Sequence, residues 1–239
     1  MRYWLIMPAA GVGRRFGDPL PKQYAALQGR TVLEWSLAPF LADVRCCGAV
    51  VVLAKADSHG PGIVAGLARV TVAEGGTERG QSVRNGLAAL TERAASEDWV
   101  LVHDAARPCL PVQDLDKLLE TLRDHVVGGL LASPVADTLK ASVSKSNVAR
   151  TVDRAGLWRA LTPQMFRYGR LCAALDAARA AGRLPTDESQ ALEWLGDVPQ
   201  LVAGSAANIK ITSAEDLLVA AALLGARTAG QNAAPEISR

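Results

Sequence analysis

Residues 3–17 read Tyr3-Trp4-Leu5-Ile6-Met7-Pro8-Ala9-Ala10-Gly11-Val12-Gly13-Arg14-Arg15-Phe16-Gly17. An apolar run from Tyr3 to Met7, long enough for one short strand, stops at Pro8 and gives way to small residues, glycines and two arginines. In open α/β sheets, ligands bind outside the carboxyl ends of the strands, and a Gly-rich turn after a first strand is where such a site begins. Small residues let the backbone approach a ligand closely, and N–H groups in a Gly-rich turn form a concavity for an anion. Arg14, Arg15 and then Lys22 add fixed positive charge, so the backbone of Pro8, Ala9, Ala10, Gly11 and Gly13 with these cations predicts a polyphosphate site. Two familiar phosphate loops are excluded by spacing. Phe16 takes the third glycine position of G-x-G-x-x-G, and Asp18 rather than Lys follows Gly17. A tight turn with solvated arginines is the competing reading of the same residues.

The rest of the chain repeats the alternation that this opening implies. Ala49 to Leu53, Val70 to Val72, Trp99 to His103, Gly129 to Ala132 and Leu201 to Ala203 are further strand candidates. Between them, Leu115, Leu118, Leu119 and Leu122 recur at helical spacing, as do Val83, Leu87 and Leu90. Strands alternating with amphipathic helices predict a Rossmann-like α/β fold: a mostly parallel twisted sheet with helices on both faces. Ser213 followed by Glu215 and Asp216 reads as a capping box opening a last helix over Leu217 to Leu224. From Gly225 onward the composition predicts fraying, with a flexible tail at about 228–239. From about Ser133 to Asp153 the pattern breaks. Two β-prone pieces, Thr138 to Val143 and Val148 to Val152, flank Ser142, Ser144, Lys145, Ser146 and Asn147, which predicts a hairpin that leaves the sheet. Read alone, it is a solvated surface hairpin. The whole of 1–239 reads as one domain.

Composition narrows the classes of function. Of 239 residues, 49% are hydrophobic and 21% charged, which excludes disorder and collagen-like repeats and supports a core that needs no disulfide or metal. The stretches free of charge reach about a dozen residues, such as His125 to Ala136, too short for a membrane-spanning helix. The net charge of +2 predicts neither nucleic acid nor an anionic membrane as partner. The first thirty residues nevertheless carry Arg2, Arg14, Arg15, Lys22 and Arg30 against Asp18 alone, concentrating positive charge around the Gly-rich loop. Cys46, Cys47, Cys109 and Cys172 have neither metal-ligand nor disulfide-scaffold spacing, and Pro8 cuts the first apolar run too early for a signal peptide. The expected location is the cytoplasm.

A second candidate site element is His103-Asp104-Ala105-Ala106-Arg107-Pro108. An acidic residue at the carboxyl end of a parallel strand, facing a phosphate loop, suits a divalent metal or a ribose hydroxyl, and equally a loop cap. His103 is a general acid/base candidate by residue type and an interior residue by position within a strand; His59 and His125 read as surface groups. Gly75-Gly76-Thr77-Glu78-Arg79 with Ser82 reads by itself as a turn and helix start.

Taken in order, these pieces resemble the 2-C-methyl-D-erythritol 4-phosphate cytidylyltransferases. The likeness covers residues 3 to about 224. It rests on Pro8-Ala9-Ala10-Gly11-x-Gly-x-Arg15, Pro21-Lys22-Gln23-Tyr24, Gly75-Gly76 through Arg79 and Ser82, and His103 to Pro108. Four later segments continue it: Thr151-Val152-Asp153-Arg154, Thr162-Pro163-Gln164, Thr186-Asp187-Glu188 and Asn208-Ile209-Lys210. The resemblance implies transfer of CMP from CTP to a methylerythritol phosphate with release of pyrophosphate, and a need for Mg²⁺. Such a nucleophile is a phosphate monoester with a second pKa near 6, so at neutral pH it needs no general base. The burden falls on cations that offset the repulsion between two polyanions.

By the same resemblance, Arg15 and Lys22 act on the phosphates in the transition state, with Arg14 and the Pro8 to Gly13 backbone around the triphosphate. Gly76, Thr77 and Ser82 read cytosine, though Thr77 stands where the family commonly carries Asp. Asp104 and Ala105 lie beside the ribose and metal-bound phosphates, Asp104 being the candidate metal contact while the CTP phosphates hold most of the Mg²⁺. Arg107, Thr138, Arg154, Thr162, Thr186 and Lys210 hold the methylerythritol phosphate, Arg154 and Lys210 positioning its phosphate. The hairpin, about 133–156, becomes an arm that clasps a second subunit in a homodimer. Two other readings compete: a sister cytidylyltransferase family acting on a pentitol phosphate such as ribitol 5-phosphate, and a non-catalytic nucleotide-binding regulator. The Thr-Val-Asp-Arg and Thr-Asp-Glu segments weigh against the first, and the joint presence of Arg15, Lys22 and Asp104 against the second.

Overall fold

The structure is a computed structural model that describes residues 1–11, 20–144 and 146–232. In chain order its elements begin with β1 (Tyr3–Pro8), a 3₁₀ turn at Lys22–Tyr24, β2 (Ala26–Leu27), β3 (Arg30–Thr31), α1 (Val32–Leu41), β4 (Cys46–Leu53), α2 (Gly60–Val64) and β5 (Val70–Glu74). There follow α3 (Arg79–Ala88), β6 (Trp99–Val102), α4 (Val112–Leu122), β7 (Gly128–Pro134), β8 (Leu139–Ser142) and β9 (Val148–Val152). The chain ends with β10 (Trp158–Arg167), α5 (Tyr168–Ala180), α6 (Glu188–Glu193), β11 (Gln200–Ala203) and α7 (Ala214–Asn232).

Seven strands form one sheet in the order β11-β7-β10-β6-β1-β4-β5. All pairings are parallel except those of β10, which runs antiparallel to both β6 and β7. Every predicted strand is present. β10 was not predicted: its buried segment from Leu161 to Phe166 is interrupted by Thr162, Pro163 and Gln164, residues that read as loop in isolation. Its register against β7 shifts between Ala160 and Gln164 around this stretch, which includes a cis peptide at Thr162–Pro163.

The period-2 alternation of strand side chains divides the core in two. Tyr3, Leu5 and Met7 of β1 face the same side as Ala49, Val51 and Leu53, and pack with Leu33, Leu37 and Phe40 of α1 and with Leu115, Leu118, Leu119 and Leu122 of α4. Ile6, Val50, Val52, Val100 and Val102 face the other side, against Val83 and Leu87 of α3, Leu171 and Leu175 of α5, and Leu192 of α6. Covering both faces is why these strands read as unbroken apolar runs. Each such buried aliphatic side chain contributes roughly 1.5–3 kcal/mol.

The hairpin lies where the sequence places it. The chain leaves the sheet at Pro134, forms the two-stranded β8–β9 sheet, and rejoins at Trp158, which pairs with Pro134. Lys145 lies outside the described residues. Helix α7 opens on a reciprocal cap: the Ser213 N–H donates to Asp216 Oδ2 at 2.9 Å and the Asp216 N–H to Ser213 Oγ at 3.4 Å. The helix then continues through Gly225 to Asn232, farther than its composition predicts, and residues 233–239 lie outside the description.

Candidate active site

The carboxyl ends of β1 and β6 open into a cavity of about 350 Å³, walled by Pro8 to Gly11, Lys22, Gln23, Gly76 to Arg79, Ser82, Asp104 to Ala106, Lys210 and Thr212. Pro8, Ala9, Ala10, Gly11, Lys22, Gly76, Thr77, Ser82, Asp104, Ala105 and Lys210, named from the sequence, therefore converge on one space. Gly13, Arg14 and Arg15 lie outside the described residues.

Two loops meet tightly at one wall. The Gln23 side chain, buried behind the first loop, donates to the carbonyls of Ala9 at 2.8 Å and Gly11 at 3.1 Å, pinning the start of the glycine-rich segment. A Cβ at Gly75 would stand 2.4 Å from Ala10 Cβ, so the absence of a side chain lets the second loop lie against the first. A Cβ at Gly86 would sit 2.8 Å from both Ile6 and Val52, and this close approach of α3 to the sheet sets the helix start beside the cavity. Within the turn, the Gly76 N–H donates to Ser82 Oγ at 3.1 Å, and Ser82 Oγ donates on to the Glu78 carbonyl at 3.2 Å. The Thr77 N–H and hydroxyl both donate to Gln81 Oε1, at 3.1 and 3.2 Å.

Asp104 is the electrostatic centre. Its Oδ1 accepts from Arg79 Nε at 3.2 Å and Nη2 at 3.1 Å, while Lys210 Nζ stands 2.7 Å from Oδ2 and Arg107 Nε 3.7 Å from the same oxygen. Burial opposes its ionisation, but Arg79, Lys210 and Arg107 together hold the carboxyl well below the usual carboxylate range. Behind it, Glu188, 1% exposed, grips Arg79 through two bonds, Oε1 to Nη1 at 2.6 Å and Oε2 to Nη2 at 3.0 Å. Burial pushes the Glu188 carboxyl above its ordinary value and Arg79 only partly offsets this.

His103 is an interior residue. Its ring nitrogens lie 3.1 Å from the Arg107 carbonyl and 3.0 Å from Thr162 Oγ1, and burial pushes its pKa down to about 4. Thr162 Oγ1 also accepts the Asp104 N–H at 3.1 Å, so this buried threonine sets the strand end from behind the cavity. Arg107 Nη1 donates to the Asn208 carbonyl at 2.7 Å, tying the segment before Lys210 to the β6 end. Thr138, Arg154 and Thr186 are exposed and line no wall of the cavity. Arg154 Nη1 donates to the Ala136 carbonyl at the base of the hairpin.

Sequence reasoning gave no role to Gln23, Arg79, Glu188 or Asn208. Each lies inside a quoted segment, but their partners are distant in sequence: Arg79 and Glu188 are 109 residues apart. A resident metal does not fit these side chains. Both oxygens of Asp104 are engaged by cations, and no cluster of three metal-ligating side chains occurs among the described residues. A hard cation such as Mg²⁺ takes about six oxygen ligands, and here it would have to come with a ligand that brings most of them. All four cysteines are free thiols. No helix among the described residues is long and apolar enough to cross a membrane.

Comparison with known proteins decides the family. The family model described as 2-C-methyl-D-erythritol 4-phosphate cytidylyltransferase matches residues 3–226. The chain belongs to this cytidylyltransferase family. Proteins of that name from Pseudomonas aeruginosa and Ectopseudomonas mendocina are 52% and 53% identical to it over 218 residues, 90% of this chain and 93% of each relative. A crystal structure of a 4-diphosphocytidyl-2C-methyl-D-erythritol synthase superposes with a TM-score of 0.83 at 39% identity, covering 93% of this chain and 98% of that one. The fold is thus that of a nucleotidyltransferase family.

Proposed function

We propose that this chain transfers CMP from CTP to 2-C-methyl-D-erythritol 4-phosphate, giving 4-diphosphocytidyl-2-C-methyl-D-erythritol and pyrophosphate. The observation that carries the reading is a cavity that gathers cations and whose described lining residues include neither cysteine nor histidine. Lys22 and Lys210 line it, and His103 is buried behind it. That composition suits a reaction whose nucleophile arrives already ionised.

An oxygen of the sugar phosphate attacks the α-phosphorus of CTP, the new P–O bond forms as the bond to the bridging oxygen breaks, and pyrophosphate carries the electron pair away. Lys22, with Arg15, meets the negative charge that grows on the α-phosphate and leaving group, and the Pro8 to Gly13 backbone with Arg14 receives the triphosphate. Cytosine lies against Gly76, Thr77 and Ser82, where a turn closed by its own hydrogen bonds offers a fixed edge. Asp104 and Ala105 lie beside the ribose, and Lys210, Arg107, Thr162 and Thr186 belong to the sugar-phosphate side. Mg²⁺ would be held mainly by the CTP phosphates, whose negative charge it would offset.

The protein works as a homodimer in the cytoplasm, and the hairpin arm reaches the partner so that Thr138 and Arg154 serve the partner's cavity. In support, both residues are exposed and away from the cavity of their own chain. Val143 and Val148 are 76% and 63% exposed on the arm, and Leu157 and Trp158 are exposed at its base, an apolar surface that a second subunit would cover. Pyrophosphate release from CTP, UTP, ATP and GTP, each with 2-C-methyl-D-erythritol 4-phosphate or ribitol 5-phosphate, tests the reading. CTP with the methylerythritol phosphate should far exceed the other combinations. Equal turnover of UTP would remove the cytosine assignment, and preference for ribitol 5-phosphate would assign the sister activity.

A further inference from the structure

Glu188, Arg79, Asp104 and Lys210 form a chain of alternating charge that runs from the start of α6 to the cavity wall. Its geometry is selective. Glu188 takes one side of the Arg79 fork with both carboxylate oxygens, and the remaining edge of Arg79, Nε and Nη2, reaches only Oδ1 of Asp104. Oδ2 is left to Lys210 at 2.7 Å. Glu188 itself is buried and not part of the cavity wall, so it reaches the reaction only through Arg79.

We infer that Glu188 and Arg79 are positioning residues: they orient the Asp104 carboxylate so that one oxygen holds the Lys210 ammonium at the sugar-phosphate side of the cavity. The inference rests on the proposed activity for its kinetic readout. A guanidinium is needed because only a planar fork can serve two carboxylates along fixed edges; an ammonium is a point charge without that division. Without the Glu188 charge, the half-buried Arg79 has one anionic partner left and closes on both oxygens of Asp104, displacing Lys210. The groups facing Glu188 are Arg79 from α3, Asp104 from the end of β6 and Asp187 from its own segment, so among the described residues the cation that answers it is Arg79.

The test is a double-mutant cycle on the full chain, with thermal unfolding recorded for every variant. Glu188→Gln keeps the shape and removes the charge; Arg79→Lys keeps the charge and removes the fork. Each should lower kcat/KM for the sugar phosphate by about tenfold or more while changing KM for CTP by less than about threefold. Residues that act through one another do not contribute independently. With Lys210→Ala in the background, the further loss from Glu188→Gln or Arg79→Lys should shrink to about twofold or less. Full multiplicative losses in the double variants would overturn the inference, because a merely structural role would add to the loss of Lys210. A crystal structure of either variant reads the same point without turnover: Lys210 Nζ should have left Asp104 Oδ2, and an unmoved Lys210 would equally overturn it. If the wild type released no pyrophosphate from CTP and the sugar phosphate, the activity reading would fail, while the structural arm would still decide the positioning role.

Discussion

The Lys22 ammonium donates to the carbonyl oxygen of Ile211 at 2.6 Å, a bond between segments 189 residues apart. Ile211 is itself fixed, its N–H donating to the Ala106 carbonyl at 2.8 Å, and it follows Lys210 directly. The bond brings Lys22 and the segment that carries Lys210 to one wall of the cavity. Preorganised cations of this kind act mainly on charge that develops in the transition state. Lys22→Ala should therefore lower kcat by roughly two orders of magnitude while KM for CTP changes much less. Arg15→Ala should behave alike. Steady-state kinetics of the single variants check this, and a normal kcat with only a raised KM would assign these cations to ground-state binding.

The fit between the two loops gives a second prediction. A Cβ at Gly75 would meet Ala10 Cβ at 2.4 Å, the Leu53 carbonyl at 3.2 Å and Ser82 Oγ at 3.2 Å, and two of these neighbours belong to the cavity wall. Overpacking of this sort costs typically 1–3 kcal/mol. Gly75→Ala should lose about that much stability in urea unfolding and raise KM for CTP about tenfold, because relief requires one loop to move from the other. Gly62→Ala, in α2 with nothing within 4 Å of the added carbon, is the control and should be neutral or slightly stabilising. Equal effects of the two substitutions would remove the argument from close approach.

The same residues show how far the sequence carried. The strands flanking the site were legible because helices cover both faces and leave continuous apolar runs, and the helices because Leu115, Leu118, Leu119 and Leu122 keep their period. β10 was illegible because its buried polar side chains find partners only in the folded chain. Gln164 accepts the Ser189 N–H and donates to Asp187, and Thr162 accepts the Asp104 N–H. Local pattern prices such groups as solvated, whereas tertiary structure satisfies them. The glycine-rich loop, Lys22 and Asp104 followed from motifs at strand ends, whereas Gly76, Thr77, Ser82, Ala105 and Lys210 followed only from the family resemblance; the Glu188–Arg79–Asp104–Lys210 chain joins four distant segments and no spacing rule reveals it.

His103 links the site to stability against acid. Its pKa in the folded protein is about 4, below the ordinary 6.5, because burial disfavours the charged ring. The unfolded chain therefore binds this proton more readily, and the stability that the neutral ring contributes is lost as pH falls from above 6.5 toward 4. Between pH 7 and pH 5 the loss amounts to about 2 kcal/mol. Asp104, held low, contributes stability that is lost only at more acidic pH, and Glu188, held high, acts with the opposite sign in both wild type and variant. Urea unfolding of wild type and His103→Gln at the two pH values isolates the term: the variant should show a smaller decline by about that amount. Identical declines would mean that His103 protonates without cost in the folded state.

The last prediction concerns the arm. The chain leaves the sheet at Pro134 and returns at Trp158, so the whole excursion could project from one subunit into another without disturbing the sheet. Arg154 sits at its base, exposed and outside the cavity that holds Lys22. In a two-fold dimer with exchanged arms, each site takes Lys22 from one chain and Arg154 from the other. Lys22→Ala and Arg154→Ala homodimers are then both deficient, but a mixed dimer contains one site with both residues intact and one with neither. If the two variants are unfolded together and refolded as an equal mixture, about half of the dimers are mixed and activity should return to about one quarter of the wild-type level. If Arg154 serves its own chain, every site in a mixed dimer lacks one of the two residues, and activity stays at the level of the separate variants. Native mass spectrometry of differently tagged chains shows whether mixed dimers have formed. Their presence without recovered activity would return the hairpin to a surface role and place the sugar-phosphate contacts within a single chain.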